Sequence, residues 1–584
     1  MRRLSIAALL LSVAMPAAAA PADDLQGVIS DHWAWFLKNN PIYATIVGVH
    51  DYDDQIGDYS LAEADREAAQ AAVFIKRLDA IPSTRLAPDG QTNKAILRRL
   101  LAEQVEANGF GERMMTFSTL GSWFQNFAGL ADNVPMRTKA DFRSYLTRLA
   151  LFPKINAQEL EITRQAVAGG YMQPCVSLDG FEKTITGVIA ANPEDSRFYA
   201  PFKAAKPFDV SDVEWAEMKV QAKTLISGTL NPEYRKIGDY YRTSYYPKCR
   251  QTFGAAALPD GARYYDFQIR QQTTTTLTAD QIHKIGLDEV TRIRAEMDAL
   301  AKKAGYTSRQ GFIHTLRTDP RYYPKSATEL MGAAALQAKI NDGKMPGLFA
   351  TLPRLPYGVR AIPAETAEGS TTAYYLPGSP PAGIAGTYYV NISKLNQRPL
   401  YELPALTAHE AVPGHHNQIA LQQELNLPEF RKYIASFTAF VEGWGLYSEH
   451  LGIEMGIYDT PEKDMGRLSY EMWRACRLVV DTGLHAQGWT KAQAVSFMKE
   501  NTALTDANID AEVNRYISNP GQALAYKLGE LRILSLRRKA EAALGPRFDV
   551  RRFHDAVLGQ GPVPLDVLEA QIDAWIAQQL RTAG

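Results

Sequence analysis

The chain has 584 residues, a formal net charge of −1, and a composition that is 46% hydrophobic and 22% charged, which is ordinary for a globular protein. The near-zero charge, with no basic block along the sequence, argues against a protein that binds nucleic acid. The length is sufficient for one large hydrophobic core, and no internal repeat or low-complexity tract divides the chain.

Residues 1–19 have the features of a secretory signal peptide. Arg2 and Arg3 precede a short apolar run at Ile6–Val13, and Ala17–Ala19 offers a small-residue cleavage site. The run is too short to span a bilayer, and no cysteine lies near the cleavage site to carry a lipid. We therefore expect a periplasmic or secreted protein that has no membrane span once the signal is removed.

Residues 20–342 are predicted to be helical, because apolar residues recur there at helical spacing. Thr278 and Gln281 form the pattern of a capping box at the start of one helix. Gly169 and Gly170 end another helical segment. The helical part thus covers the first half of the expected domain.

Three cysteines are too few for a disulfide framework. Cys175 and Cys249 could pair in an oxidising compartment and leave Cys476 buried and reduced. Three unpaired cysteines are an equally open alternative.

Residues 343–400 are predicted to be a β-rich element, because they combine proline, glycine, tyrosine and β-branched residues. A strand is predicted at Gly386–Ile392. It lies shortly before the histidine-rich segment. That segment falls near the start of residues 401–584, which are expected to form the helices of the metal site.

The segment HEAVPGHH starts like the zinc-protease signature HExxH, in which two histidines one helical turn apart chelate one ion. Here the histidines that follow His409 are His415 and His416. In a regular helix the first of these lies about 240° around the axis and the second about 10 Å further along it, so neither chelates with His409. Pro413 and Gly414 predict a kink or bulge that absorbs the extra residues. This break would bring His415 beside His409, with His416 as the alternative.

A zinc site that keeps one position open for water needs a third protein ligand. Glu442, near the start of an aromatic-rich helical segment, is the best candidate. Glu449 is the alternative, or else a carboxylate that orients a ligand histidine. Glu410, beside the first histidine, is suited to take a proton from a metal-bound water. These residues predict one Zn²⁺ per chain, against the alternative of a purely structural polar network.

Four motifs resemble a known family. HEAVPGHH, EGWGLYSEHLG, DTGLHAQGWT and NPGQALAYKLG are similar to the bacterial family called domain of unknown function 885, which is grouped with the gluzincin, or HExxH-clan, metallopeptidases. The resemblance runs from the stretch GVHDYDDQIGDYS to the C-terminus. It implies a mainly α fold, a large helical zinc-peptidase-like domain with a small β-hairpin or sheet beside the active-site helix.

The resemblance also implies roles for individual residues. In the similar helical peptidases two histidines and a glutamate from the following helix bind zinc, which corresponds to His409, His415 and Glu442, with Glu410 as the general base. A strand beside the metal helix there binds an extended substrate by edge pairing. We carry this over to the segment Thr387–Asn391, and to Tyr389 and Asn391 within it, against the alternative of a hairpin that only supports the helix.

Two residues are candidates for stabilising an oxyanion. His485 lies one helical turn after Asp481, a pairing that would fix its tautomer. Tyr526 resembles the transition-state tyrosine of related peptidases, and its phenol would donate to the oxyanion. Arg515 could hold a substrate carboxylate through a bidentate pair.

The sequence therefore predicts a zinc-dependent hydrolase that cleaves the amide bonds of short peptides, with metal-activated water and Glu410 as base. One alternative is a metal-dependent hydrolase of a small non-peptide amide or ester. Another is a non-catalytic periplasmic binding protein on the same fold. The expected partner is a short peptide or small amide, with neither nucleic acid nor a membrane involved.

Overall fold

Helices make up most of the chain in the computed structural model, which describes residues 21–118, 121–368, 370–381 and 383–581. The predicted signal peptide at residues 1–19 lies outside the described residues. The first group of helices is α1 (Pro21–Asn39), α2 (Pro41–Ile46), α3 (Leu61–Asp79), α4 (Pro88–Ala107), α5 (Trp123–Ala128), α6 (Leu130–Asn133), α7 (Lys139–Gly169), α8 (Glu182–Thr186), α9 (Asp212–Leu225), α10 (Asn231–Tyr240) and α11 (Gly261–Thr273).

The middle of the chain contains α12 (Ala279–Lys303), α13 (Arg309–Thr318), α14 (Ala327–Leu348), β1 (Tyr357–Ala361), α15 (Ala364–Ala367), β2 (Ala373–Leu376) and β3 (Gly386–Val390). The last group of helices is α16 (Leu403–Glu410), α17 (His415–Glu424), α18 (Glu429–Tyr433), α19 (Thr438–Met455), α20 (Pro461–His485), α21 (Lys491–Asn501), α22 (Asp506–Ser518), α23 (Ala525–Leu544), α24 (Val550–Leu558) and α25 (Leu565–Arg581). The predicted fold class, mainly α with a small sheet, is confirmed.

The local signals in the sequence act where they were expected. Helix α12 starts at a capping box in which Thr278 and Gln281 satisfy each other's backbone N–H groups. Helix α7 ends at Gly170, which adopts a left-handed φ of +80°. Cys175 and Cys249 form a disulfide, and Cys476 is free and buried.

One apolar core joins the two ends of the chain. Leu25 of α1 and Phe74 of α3 belong to the same buried cluster as Phe440 and Trp444 of α19, and the cluster extends to Ile576 of α25. Helix α19 is therefore enclosed by elements from opposite ends of the sequence.

The sheet has the strand order β1-β3-β2, so β3 is central. Strand β3 pairs in parallel with β1 and antiparallel with β2. The prediction that Thr387–Asn391 offers its edge to a substrate is wrong, because both edges of β3 are already paired. One face of β3, with Tyr388 and Val390, is buried in a core that includes Leu403 and Leu406 of α16.

Within the described ranges, no α-helix combines the length and the apolar character that crossing a membrane requires.

Candidate metal centre

The centre is built on a break between α16 and α17. Helix α16 stops after Glu410, and the turn at residues 411–414 redirects the chain before α17 starts at His415. Trp444 of α19 donates to the carbonyl of Pro413 at 2.8 Å, and Asn341 of α14 donates to the carbonyl of Val412 at 3.0 Å. The turn is thus fixed from two sides.

Gly414 is required by a close approach within this turn. A Cβ atom at this position would lie 1.9 Å from the carbonyl oxygen of His409. The turn brings the ring centroids of His409 and His415 to 4.7 Å from each other, with the rings nearly perpendicular at 89°. The proline–glycine break therefore brings His415 beside His409, as the sequence predicted.

Three side chains converge on one point. The Nε2 atoms of His409 and His415 each lie 3.4 Å from Oε2 of Glu442. The three residues offer ligand atoms that all lie within 4.8 Å of one another. Two ligands of a tetrahedral zinc ion, each about 2.0–2.2 Å from the metal, stand about 3.3–3.5 Å apart. The separations and the donor set of two imidazoles and a carboxylate therefore fit a divalent cation such as Zn²⁺.

Glu449 orients the first histidine. Its Oε1 lies 2.8 Å from Nδ1 of His409 and 3.0 Å from the guanidinium of Arg474. A carboxylate accepts hydrogen bonds, so Nδ1 of His409 donates to Glu449, and Nε2, which faces Glu442, is the atom at which a metal ion would take the place of a proton. Glu449 thus fixes the orientation of His409, which is the geometry that one of its two predicted roles requires.

His416, the alternative ligand, faces away from the cluster. Its Nδ1 lies 2.9 Å from the hydroxyl of Tyr375, and its ring packs against Tyr357 with centroids 4.5 Å apart. Burial lowers the pKa of His416 to about 4. The geometry therefore favours His415 over His416.

The imidazoles and carboxylates of the cluster stabilise one another's charged forms. Burial alone would lower the pKa of His409, but Glu442 and Glu449 raise it to about 9. Burial alone would raise the pKa of Glu442, but His409 and His415 hold it well below its usual range. The site therefore concentrates carboxylate charge around two imidazoles, an arrangement that attracts a cation.

Glu410 and Tyr526 lie beside the three converging side chains. Glu410 follows His409 at the end of α16, is half-buried, and its charge acts on both His409 and Tyr388. The ring of Tyr526 stacks at 6.3 Å from that of His409. The charge of Glu442 contributes to the raised pKa of Tyr526, after the larger effect of burial. Both residues thus lie near His409, and their predicted roles stay predictions.

Arg515 reaches the same region through Gln522. It donates to Gln522 at 2.8 Å and to Glu512 at 2.9 Å, and the amide of Gln522 donates to the hydroxyl of Tyr526 at 3.4 Å. The guanidinium is already paired with a carboxylate, which weakens its predicted role as a substrate anchor. Its contacts instead support the loop that presents Tyr526.

The prediction that His485 stabilises an oxyanion is wrong. Its Nδ1 accepts from the N–H of Ala255 at 2.9 Å, and its Nε2 donates to the carbonyl of Tyr516 at 2.9 Å. Asp481, its expected partner, instead accepts from the hydroxyl of Tyr265 at 2.6 Å. Both ring nitrogens are used by the backbone, so His485 ties three segments together and has no donor left for a substrate.

The prediction that Asn391 binds substrate is also wrong. Its side chain is fully buried, and its amide donates to the carbonyls of Ala367, Ser370 and Thr371. Asn391 therefore holds the loop before β2. Tyr389, two residues earlier, does face a cleft.

Sequence reasoning gave no role to Arg474 and Arg477. Arg474 binds Glu449, and the guanidinium carbon of Arg477 lies 4.2 Å from the ring centroid of Tyr526. Both are buried on α20, whose residues from Met465 to His485 are all buried. Arg474 and Arg477 stand among otherwise apolar residues in the stretch Met472–Val480, and this was the available signal, because buried arginines require partners.

A cleft of about 870 Å³ lies along α17 and α19, the helices that carry His415 and Glu442, and we call it the sheet cleft. It is lined by one face of the sheet, by Ile419, Gln422 and Gln423 of α17, and by the segment 131–137. Val441, next to Glu442, lines it as well, whereas the three converging side chains do not. Glu442 and His415 keep 18% and 11% of their side chains exposed, so solvent reaches the centre.

Comparisons with known proteins give a family and a fold. A model of the family described as bacterial protein of unknown function (DUF885) matches residues 41–572. A crystal structure from Colwellia psychrerythraea, of a protein described as a candidate lipoprotein, matches with a TM-score of 0.88 and 29% identity, covering 96% of this chain and 100% of that one. A structure from Shewanella oneidensis, of a candidate lipoprotein of unknown function, matches with a TM-score of 0.70 and 18% identity, covering 95% and 99%. No protein with a curated description matches the chain.

Proposed function

The chain belongs to the DUF885 family of bacterial proteins, and from that premise we propose that it is a metal-dependent hydrolase that cleaves the amide bonds of short peptides. The observation that carries the proposal is the convergence of His409, His415 and Glu442, with Glu410 next to His409 in the chain. Two histidines, a glutamate and an adjacent acidic residue are the parts of a gluzincin metallopeptidase centre, to which the proposal assigns this site.

His409, His415 and Glu442 would hold the cation, which we propose to be one Zn²⁺ per chain. When bound, a divalent cation acts as a Lewis acid and lowers the pKa of a bound water. Glu449 and Arg474 keep the imidazole of His409 in the orientation that a ligand needs.

Two residues of the chain handle the proton and the developing charge. Glu410 takes a proton from the attacking water and later gives it to the leaving amine. The hydroxyl of Tyr526 donates to the developing oxyanion, and the Arg477 guanidinium against its ring favours that donation. This division of work needs no contribution from His485.

The sheet cleft supports a short substrate. Its volume of about 870 Å³ is in the range of sites for small ligands and suits a few amino-acid residues. Helices α17 and α19, which supply His415 and Glu442, also supply part of the cleft wall, and this supports the proposal that a peptide in the cleft reaches the centre.

We also propose that the protein acts in an oxidising compartment, either the periplasm or outside the cell. The disulfide between Cys175 and Cys249 supports this, since such bonds persist where thiols are not kept reduced. Both similar structures are of proteins described as candidate lipoproteins, which is in keeping with export.

Metal content is the direct test. We expect about one metal ion per chain in the purified protein, loss of that ion in His409→Ala, and its retention in His50→Ala, a change at an exposed histidine outside the centre. Glu410→Gln should keep the metal and lose hydrolysis of a panel of short peptides. A protein that takes up no metal even when zinc is supplied would rule out this mechanism.

A further inference from the structure

One face of the small sheet is directed at the sheet cleft. Side chains alternate between the two faces of a strand, and the cleft is lined by Gly358 and Arg360 of β1 and by Thr387 and Tyr389 of β3. The residues between them, such as Tyr388, belong to the buried face. The sheet therefore presents a surface to the cleft rather than an edge.

Arg360 lies beside a pair of tyrosines on this face. It is directly opposite Tyr389 in the parallel β1–β3 ladder, and Tyr389 is opposite Tyr374 in the antiparallel pairing with β2. The two tyrosine rings stack with centroids 5.0 Å apart. A cationic side chain and a flat aromatic surface are thus adjacent across three strands.

The sheet cleft and the candidate metal centre share two helices. Helix α17 starts at His415, and Ile419 and Gln422 follow on the same face of that helix, about one and two turns further on. On the other side, Val441 lines the cleft and precedes Glu442. A molecule lying along the sheet face would therefore lie against the two helices that carry His415 and Glu442.

The charges that line the cleft are mainly positive. Arg137, Arg360 and Lys432 line it, and Asp132 is the acidic residue among the described lining. Asp132 is paired with Arg197 at 2.9 Å, and Lys432 lies 3.2 Å from Glu429. Arg360 is exposed and has no ion pair or hydrogen-bonded side-chain partner among the residues that the structure describes. Its guanidinium is the positive group that a ligand would meet.

We propose that the sheet cleft selects peptides that carry a carboxylate, and that Arg360 is the residue that recognises it. This inference rests on the proposed function, because it names the substrate class of the same site. A guanidinium matches a carboxylate through two parallel hydrogen bonds, which a lysine cannot reproduce. Tyr389, which lines the cleft and stacks on Tyr374, provides the apolar surface on which an adjoining side chain of the peptide packs.

The carboxylate can come from two parts of a peptide, its free C-terminus or an acidic side chain. Three dye-labelled peptides with a shared short alanine-based sequence separate these sources: one with a free C-terminus, one amidated, and one amidated with an internal glutamate. Binding to Glu410→Gln is measured by fluorescence anisotropy, with and without added zinc, so that the result does not depend on turnover or on the metal.

We expect at least one carboxylate-bearing peptide to bind about fivefold more tightly than the neutral one, with the difference shrinking as salt is raised. Arg360→Gln should abolish that difference, Arg360→Lys should restore part of it, and Arg551→Gln, at an exposed arginine of α24 outside the cleft, should preserve it. Preference for the peptide with a free C-terminus would show that Arg360 recognises the α-carboxylate. Preference for the glutamate peptide would show that it recognises an acidic side chain.

Equal binding of the three peptides, no binding of any of them, or a preference that survives Arg360→Gln would overturn the inference. Failure of the proposed function has a different signature. If the protein binds no metal and hydrolyses no peptide but still distinguishes the peptides through Arg360, the cleft remains a carboxylate-recognition site. Only the proposed hydrolysis then fails.

Discussion

Oε1 of Glu449 is shared between Nδ1 of His409, at 2.8 Å, and the guanidinium of Arg474, at 3.0 Å. The buried arginine neutralises the carboxylate without displacing it from the imidazole. His409 is therefore held by a group on α19, the helix that also supplies Glu442. One helix thus fixes both the third candidate ligand and the orientation of the first.

Replacing Glu449 should weaken metal binding without removing any ligand. Glu449→Gln keeps an acceptor of similar shape but loses the negative charge that raises the basicity of His409, and such changes typically cost 10-fold to 100-fold in metal affinity, so we expect a loss of about that size. Competition with a chelator measures it. Glu454→Gln, on the same helix and paired with Arg537, is the matched control. Equal zinc affinity in both variants would show that Glu449 does not act through His409.

Gly414→Ala should disrupt the centre through the backbone. The added Cβ would lie 1.9 Å from the carbonyl oxygen of His409, so the turn has to move and His415 with it. We expect a loss of about 2–3 kcal/mol in the free energy of unfolding, together with loss of bound metal. Gly332→Ala, inside α14 where a Cβ meets nothing within 4 Å, should be neutral or stabilising. Chemical denaturation and metal analysis check both, and normal metal content in Gly414→Ala would contradict the account.

The buried histidines should make stability depend on pH. Burial lowers the pKa of His485, as it does for His32 and His554, to about 4. Because the unfolded chain binds these protons near pH 6.5, the stabilising contribution is complete above that pH and is lost as the pH falls toward 4. His485→Gln should remove one such group, so that the wild type loses up to about 1.4 kcal/mol more than the variant per pH unit in that window.

Urea denaturation between pH 7 and pH 4.5 measures this difference. His50→Gln, at an exposed histidine, should follow the wild type. Parallel pH profiles for the wild type and His485→Gln would mean that His485 is not held neutral by burial. Unchanged metal content in His485→Gln is expected as well, since its ring contacts only Ala255 and Tyr516 through hydrogen bonds.

The disulfide should contribute to stability through the unfolded chain. Cys175 and Cys249 are separated by 74 positions, and closing a loop of that size is worth about 4 kcal/mol in the chain-entropy description. The double variant Cys175→Ser and Cys249→Ser should therefore unfold at a lower denaturant concentration. In the wild type, thiol titration should find one reactive group after unfolding, from Cys476, and three only after reduction. Three thiols without reduction would show that the pair is open.

Short sequence patterns were sufficient to predict the helices and the approach of His415 to His409. The proline–glycine break between His409 and His415 is a covalent constraint, so its effect can be deduced from the sequence alone. Glu442 and Glu449 lie seven residues apart on one helix, which placed them on a common face. Short-range geometry thus gave the relative positions within each pair, whereas the grouping of Glu442 with the two histidines rested on the need for a third ligand and on the family resemblance.

Contacts between residues far apart in the sequence could not be predicted in the same way. Nothing local to Gly386–Val390 shows that β1 and β2 flank it on both sides, so an edge was expected where the chain has a central strand. His485 and Asp481 share a helix face, yet their partners Ala255 and Tyr265 come from more than 200 residues earlier. Asn391 is polar and follows a strand, but the carbonyls it binds belong to a loop about twenty residues before it.

The core that encloses α19 has a consequence for when the centre can form. Leu25 and Ile576 belong to the same cluster as Phe440 and Trp444, so the surroundings of α19 include helices that are synthesised well before it and well after it. A growing chain that already contains His409, His415 and Glu442 still lacks α25, the last wall of that core. We therefore expect the centre to reach its final geometry only after α25 has been synthesised and has packed against this core.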